Sequence, residues 1–156
     1  MLQLNLPTFQ PNLKKIDGEL HIFDPIRKRY LQLTPEEWVR QNFLNYLIHH
    51  KGYPQSLMQN EAMIKLNDMT RRCDTVVYNN QLQPLVIVEY KRPDVTINQQ
   101  VFDQIARYNI VLRVDYLIVS NGLSHYCCKM NYEEQSYLFL REIPEYGELV
   151  MRDQWR

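Results

Sequence analysis

Apolar residues recur along the chain with two periods, and the change from one to the other marks out the elements. From Thr34 the pattern is helical. Thr34 can cap, Pro35 suits the first turn, and Glu37 stands three residues after the cap, as in a capping box. The helix is predicted from about Pro35 to His50, stopping before Gly52 and Pro54. Val39, Phe43, Tyr46 and Leu47 define its apolar face. Projected at about 100° per residue, Glu36 falls near the middle of that face and Glu37 to one side, where capping accounts for it.

The pattern then turns strand-like. "SLMQNEAMIKL" mixes apolar and polar positions, as a strand or an irregular edge segment would. "RCDTVVYN" is rich in residues that favour extended structure, "NNQLQ" supplies a turn, and "PLVIVEYK" is the near-continuous apolar run of a strand covered on both faces. Pro93 stops it as a central strand. Val101, Ile105, Tyr108 and Leu112 restore helical spacing over about Asn98 to Leu112, and Asn121-Gly122 between two apolar runs predicts a hairpin. Asp17-Gly18 and Asp24-Pro25 mark turns near the N-terminus. The order implies an α/β fold with a central mixed sheet in a single domain, 1–156, of which 1–33 form an N-terminal extension or hairpin.

Composition narrows the partners only slightly. A chain of 156 residues with 45% hydrophobic content can bury one core, and 18 basic residues balance 18 acidic ones, so total charge favours neither nucleic acid nor membrane. Local positive charge is still available at Arg71-Arg72 and Lys91-Arg92, although these could equally be solvated strand ends. Cys73, Cys127 and Cys128 form neither a disulfide framework nor a CxxC pair, which suits a reduced cytoplasmic setting; Cys127-Cys128 is expected to pack as small apolar surface with one exposed thiol. The N-terminus lacks the apolar core of a signal peptide, and no run reaches the ~18 apolar residues of a membrane span. His49, His50 and His125 have no partners at metal-ligand spacing.

The candidate chemistry lies in "VIVEYKRPD". Side chains alternate along a strand, so Glu89 and Lys91 share one side and Tyr90 takes the other. With the preceding turn centred near Gln81, antiparallel pairing sets Asp74 opposite Val88 or Glu89. Two neighbouring carboxylates repel unless a cation lies between them, and their hard oxygens suit Mg2+ or Mn2+ better than zinc. Lys91 could orient a metal-bound water and offset charge on a phosphate. Glu36 is the helix carboxylate expected to point at the sheet. Gln104 and Tyr108, four residues apart, are expected on one face with Val101 and Leu112, from which they could meet the same edge. Taken singly these features have plainer accounts: Asp74 as a turn residue, Glu89 with Lys91 as an exposed ion pair worth under about 1 kcal/mol, and Tyr108 as a core aromatic.

Together they resemble a known family. Glu36, Asp74, Glu89-Tyr90-Lys91, and Gln104 with Tyr108 look like the PD-(D/E)xK nuclease pattern with its trailing QxxxY motif. "LTPEEWVRQ", "RRCDTVVY", "VIVEYKRP", "DQIARYN" and "LIVSNG" more closely resemble the N-terminal nuclease domain of type I restriction enzyme R subunits, over about Ile22 to Met130. The resemblance implies a restriction-endonuclease-like three-layer core. It also implies Mg2+ held by Asp74, Glu89 and the Tyr90 carbonyl, water positioned or activated by Lys91, and support from Glu36. Gln104 and Tyr108 would support the site or touch nucleic acid, with Arg72 and Arg92 as further DNA contacts. The implied reaction is metal-assisted hydrolysis of a DNA phosphodiester; the alternative is a non-cleaving nucleic-acid or protein-binding module. A homodimer would provide one site per strand. Cys73 stands where the family usually has Pro. No GxxxxGK[ST] stretch is present and the motor regions of a full subunit do not fit in 156 residues, so ATP-driven activity is not expected and separate motor or specificity subunits are left open.

Overall fold

Two turns fold the N-terminal segment into a small antiparallel sheet of β1 (Leu13–Ile16), β2 (Glu19–Asp24) and β3 (Arg29–Gln32). Asp17 and Gly18 both take positive φ, 50° and 80°, as a two-residue hairpin turn of matching twist requires. At the second turn the Asp24 carboxylate accepts the main-chain N–H groups of Ile26 at 2.7 Å and Arg27 at 3.1 Å. The computed structural model describes residues 1–154.

Helix α1 (Pro35–His50) begins where its capping residue directs, with Thr34 Oγ1 accepting the Glu37 N–H at 3.1 Å. After it come β4 (Met58–Leu66), β5 (Met69–Tyr78), β6 (Pro84–Tyr90), α2 (Gln99–Ile110), β7 (Tyr116–Ser120), β8 (His125–Asn131), β9 (Ser136–Phe139) and α3 (Tyr146–Gln154). The six later strands form one sheet in chain order. Among the described residues only β6 and β7 pair in parallel, with α2 as the crossover. The segment left between strand and irregular edge is a strand, β4, with alternating burial, interrupted at Glu61, whose φ is 53° and which the ladder to β5 skips.

Three layers result. Val39, Phe43, Leu44 and Leu47 of α1 pack on one face of the sheet with Val77, Val88, Tyr90, Ile118 and, from α3, Leu149. Phe102 and Ala106 of α2 cover the other face with Val76, Ile87, Leu117, Val119 and Cys128. Central β6, buried from Leu85 to Val88, is clad on both sides as its apolar run required. Both Cys127 and Cys128 are buried, so the expected exposed thiol is corrected; they point to opposite faces, each into its own core.

The buried face of α2 differs from the expected one. It carries Phe102, Ala106 and Asn109, while Gln104 is exposed and Tyr108 is 48% exposed. Asn98 caps the helix through the Val101 N–H, and Phe102 enters an aromatic cluster with Tyr137, 5.3 Å away, and Phe139, 4.8 Å away. That cluster sets the rotation of the helix. Val101 and Ile105 are left at the margin of the core.

Glu37 is also corrected. Its main-chain N–H is capped, but its side chain does not return to the cap; it is buried, accepts from Arg27 Nη2 and Gln41 Nε2, both at 2.9 Å, and forms an ion pair with Arg40 Nε at 3.2 Å. An arginine from the β2–β3 turn therefore supplies what the helix pattern alone did not contain. Arg40 continues the chain of charges: Nη1 donates to the Asp74 main-chain oxygen at 2.6 Å and Nη2 to Glu61 Oε1 at 2.5 Å, while Glu61 Oε2 accepts from Arg72 at 2.7 Å. At the other end Arg27 pairs with Asp24, and Asn60 bridges Asp24 to Thr75. Burial alone would raise the Asp24 carboxyl; hydrogen bonds from Arg27 and Asn60 outweigh it and hold the group below its ordinary value.

Removing one partner from such a network leaves the others charged and dry. Arg40→Ala is expected to lower unfolding free energy by ~3 kcal/mol, read from urea denaturation, because it removes the donor to the Asp74 main-chain oxygen and leaves Glu37 and Glu61 with only Arg27 and Arg72 as cations. An exposed lysine of β1, Lys15→Ala, should change it by less than about 0.5 kcal/mol.

Candidate functional site at the end of β6

The β5–β6 ladder pairs Val77 with Val86, Val76 with Ile87 and Thr75 with Val88. Its next step sets Asp74 against Glu89, which decides between the two registers the turn allowed. Beyond it the Asp74 side chain reaches across the strands, and the Tyr90 main-chain N–H donates to Oδ2 at 2.8 Å. The Tyr90 ring turns to the opposite face, where its hydroxyl meets Thr75 Oγ1 at 2.9 Å and the Arg40 guanidinium lies 5.4 Å from its centroid. The Lys91 N–H donates to the Ser120 oxygen at 2.8 Å, extending the parallel ladder one residue. Main-chain bonds thus fix all three residues of Glu89-Tyr90-Lys91.

The electrostatics show which side chains converge. Glu89 Oε1 is buried with no hydrogen-bond partner. Burial pushes the Glu89 carboxyl up, Asp74 adds to this by repulsion and a hydrogen bond, and Lys91 and Asn109 oppose it; the result is about 9. Glu36 is also raised, by burial first and then by Asp74, against the pull of Arg40 and Lys91. Asp74 and Lys91 therefore act on both Glu36, from α1, and Glu89, from the end of β6.

Among the described residues no group of three or more His, Cys, Asp or Glu is gathered as a metal cluster. Asp74 and Glu89 offer hard carboxylate oxygens, a sparse set that suits a cation retaining several waters rather than a closed zinc site. The unpartnered Glu89 oxygen and the repulsion between Asp74 and Glu89 are the features a cation would relieve.

The remaining candidates sit around this centre. Arg72 is 66% exposed and bonded to Glu61, and exposed Arg92 pairs with Asp94 at 3.2 Å. Gln104 and Tyr108 do not share the buried face of α2; the Tyr108 ring lies under the Arg71 guanidinium at 4.7 Å. His125 uses both ring nitrogens structurally, with Ser120 Oγ at 2.7 Å and the Asn5 main-chain oxygen at 2.9 Å. Two neighbours of the site escaped the sequence reading. Arg40 follows Val39 on α1 and fastens the Asp74 main chain, and Asn109, 4% exposed, meets Glu89 from α2. The signal for Asn109 was its place three residues beyond Ala106 on a face that begins at Phe102, visible only with the right helix rotation.

The raised Glu89 carboxyl makes stability depend on pH. Without cations the folded chain keeps this proton up to about pH 9, whereas the unfolded chain releases it near the ordinary 4.5. The folded state then binds more protons across that window, so this group's contribution is present below about 4.5 and is lost as pH rises toward 9. In urea melts with a chelator present, the stability of Glu89→Gln relative to wild type should rise from pH 5 to pH 9 by on the order of a few kcal/mol. A constant difference would show that Glu89 ionises normally.

Comparisons with known proteins agree with this fold. The family model described as the type I restriction enzyme R protein N terminus matches residues 35–144. No curated protein matches the chain. Among solved structures, a fragment described as an HsdR subunit of a type I restriction enzyme from Vibrio vulnificus YJ016 is similar with a TM-score of 0.52 at 16% identity, covering 79% of this chain and 26% of that one. DrdV in a complex with DNA is similar with a TM-score of 0.45 at 18% identity, covering 76% of this chain and 12% of that one. The chain thus spans about a quarter or less of the length of these two proteins. No helix among the described residues is long and apolar enough to cross a membrane. Matched over residues 35–144, from the first turn of α1 to beyond β9, the chain belongs to the type I restriction enzyme R protein N-terminal family.

Proposed function

We propose that the chain is a Mg2+-dependent DNA endonuclease of the PD-(D/E)xK type. The observation that carries this is the β5–β6 register, which opposes Asp74 to Glu89 beside Lys91 and leaves a buried Glu89 oxygen without a donor. Asp74, Glu89 and the Tyr90 carbonyl would hold Mg2+, with Mn2+ as a substitute. The chemistry supplied by a cation held there would be polarisation of the phosphate and a lowered pKa for a bound water. Lys91 places a positive charge against the phosphate oxygens and orients the attacking water. Glu36, in the same field, steadies the water network from α1. Arg72 and Arg92 lie on the exposed rim, where they attract the DNA backbone. Gln104 and Tyr108, exposed on α2, supply a second line of contact. Two copies acting together would cut both strands.

Cleavage of supercoiled, linear and branched DNA in Mg2+ or Mn2+ tests the proposal. Lys91→Ala is expected to lose cleavage by ~100-fold or more while retaining fold and DNA binding. Cleavage equal to wild type in that variant would overturn the assignment. DNA binding without cleavage by wild type in either metal would favour the non-cleaving module. A monomeric mass during double-strand cleavage would count against the homodimer.

A further inference from the structure

An open cleft of about 590 Å3 lies alongside the candidate site. One wall is Thr34, Pro35 and Trp38 at the start of α1; the other is Arg92, Pro93 and Asp94, just past β6. Each wall continues a site element directly, since Glu36 follows Pro35 and Lys91 precedes Arg92, and consecutive α-carbons lie only ~3.8 Å apart. Leu2 and Leu20 add to the lining and stay 53% and 37% exposed, so large apolar side chains face solvent beside a group of carboxylates. The polar atoms of the cleft are largely spent. Trp38 Nε1, the one donor of its indole, gives its hydrogen to the Leu2 main-chain oxygen at 2.8 Å, and Phe9 stacks on the ring at 6.0 Å without lining the cleft. Thr34 Oγ1 accepts the Glu37 N–H, and Arg92 pairs with Asp94 at 3.2 Å. An occupant therefore meets carbon surface, an indole and no net charge. Such a lining suits a flat uncharged ring and not an isolated anion.

We infer that the cleft receives a nucleobase of the DNA strand whose phosphate lies at Asp74, Glu89 and Lys91, the ring packing against Trp38 and Pro93. This rests on the nuclease reading above and narrows its substrate. A nucleotide satisfies both places at once, because it carries a neutral flat ring and, a few bonds away, a charged phosphate. A peptide side chain would fill the cleft without bringing a phosphodiester to the site. A base seated there has left its stack and its pairing partner, which costs least where the nucleotide is already unpaired. The substrate class is therefore DNA with an unpaired nucleotide beside the scissile phosphate, as in a flap, a gap or a branched junction. Arg92 stands at the rim between cleft and site, and its exposed pairing with Asp94 is weak enough to be exchanged for a phosphate.

The test compares three DNAs by fluorescence anisotropy with the full chain, in chelator and in Ca2+: a blunt duplex, the same duplex with a single-stranded flap, and the flapped duplex made abasic at the unpaired nucleotide next to the junction. The flapped duplex should bind ~10-fold tighter than the other two, and 2-aminopurine at the junction nucleotide should be quenched on binding. Trp38→Ala and Leu2→Asp should each remove that preference and the quenching while leaving affinity for the blunt duplex unchanged. Leu2→Asp keeps the main-chain oxygen that Trp38 uses and alters an exposed side chain, so it makes the comparison alone if circular dichroism shows Trp38→Ala unfolded. Where binding is too weak to read, KM for cleavage of the three DNAs in Mg2+ gives the same contrast. Equal affinities for the flapped and abasic DNAs would overturn the inference and leave the nuclease reading standing. A wild-type dimer that Leu2→Asp dissociates would place a second copy in the cleft and also overturn it. No binding and no cleavage of any of the three by wild type would overturn both the inference and the reading beneath it.

Discussion

The Arg40 guanidinium is the constraint on which the rest of the structure depends. It lies beneath the Tyr90 ring, between Glu37 and Glu61, and one of its N–H groups holds the main-chain oxygen of Asp74. Through Glu37 it is joined to Arg27 and Asp24, and through Glu61 to Arg72. The small N-terminal sheet, the first helix and two strands of the main sheet are thus tied by charge rather than by apolar contact alone. Burying so many ions costs desolvation that their attraction barely repays, so the network is a poor source of net stability. What it does impose is position. Greasy contacts tolerate small slips; bonds to a planar guanidinium do so far less.

That constraint explains why Asp74 is well placed for chemistry. Its main chain is gripped from the α1 side and its carboxylate from the β6 main chain. Glu89 is treated differently: its position follows from strand pairing, while one of its oxygens is left unbonded. The site combines a fixed carboxylate with one still in need of a partner. The surrounding basic residues do not neutralise it cheaply, because Arg40, Arg72 and Arg92 are already committed to acidic neighbours. The centre therefore keeps an excess of acidic groups, which the proposed cation would offset.

Much of this was legible in the sequence because it is set locally. Thr34 and Pro35 start α1, the turn around Gln81 sets the strand register to within one residue, and strand alternation delivers Glu89 with Lys91. Helix projection set Glu36 near the middle of the buried face and Glu37 to one side, whereas the structure buries Glu37 and leaves Glu36 half-buried, in the field of Asp74 and Lys91. What escaped depends on partners distant in the chain. Glu37 is drawn inward by Arg27, from a turn ten residues earlier. The rotation of α2 is set by Phe102 against aromatic rings of β9, so a face chosen from helical spacing alone lay one residue out and hid Asn109. Periodicity reveals that a helix has an inside; which side that is depends on what it lands on.

The single parallel pairing in the sheet bears on how the chain folds. β4, β5 and β6 are successive antiparallel neighbours, so Asp74 and Glu89 can meet through short loops alone. Joining β6 to β7 requires the whole α2 crossover, whose loop closure is slower. A meander holding Asp74 beside Glu89 would therefore take shape first, making the crossover the step at which the nascent fold passes from reversible hairpins to a committed structure.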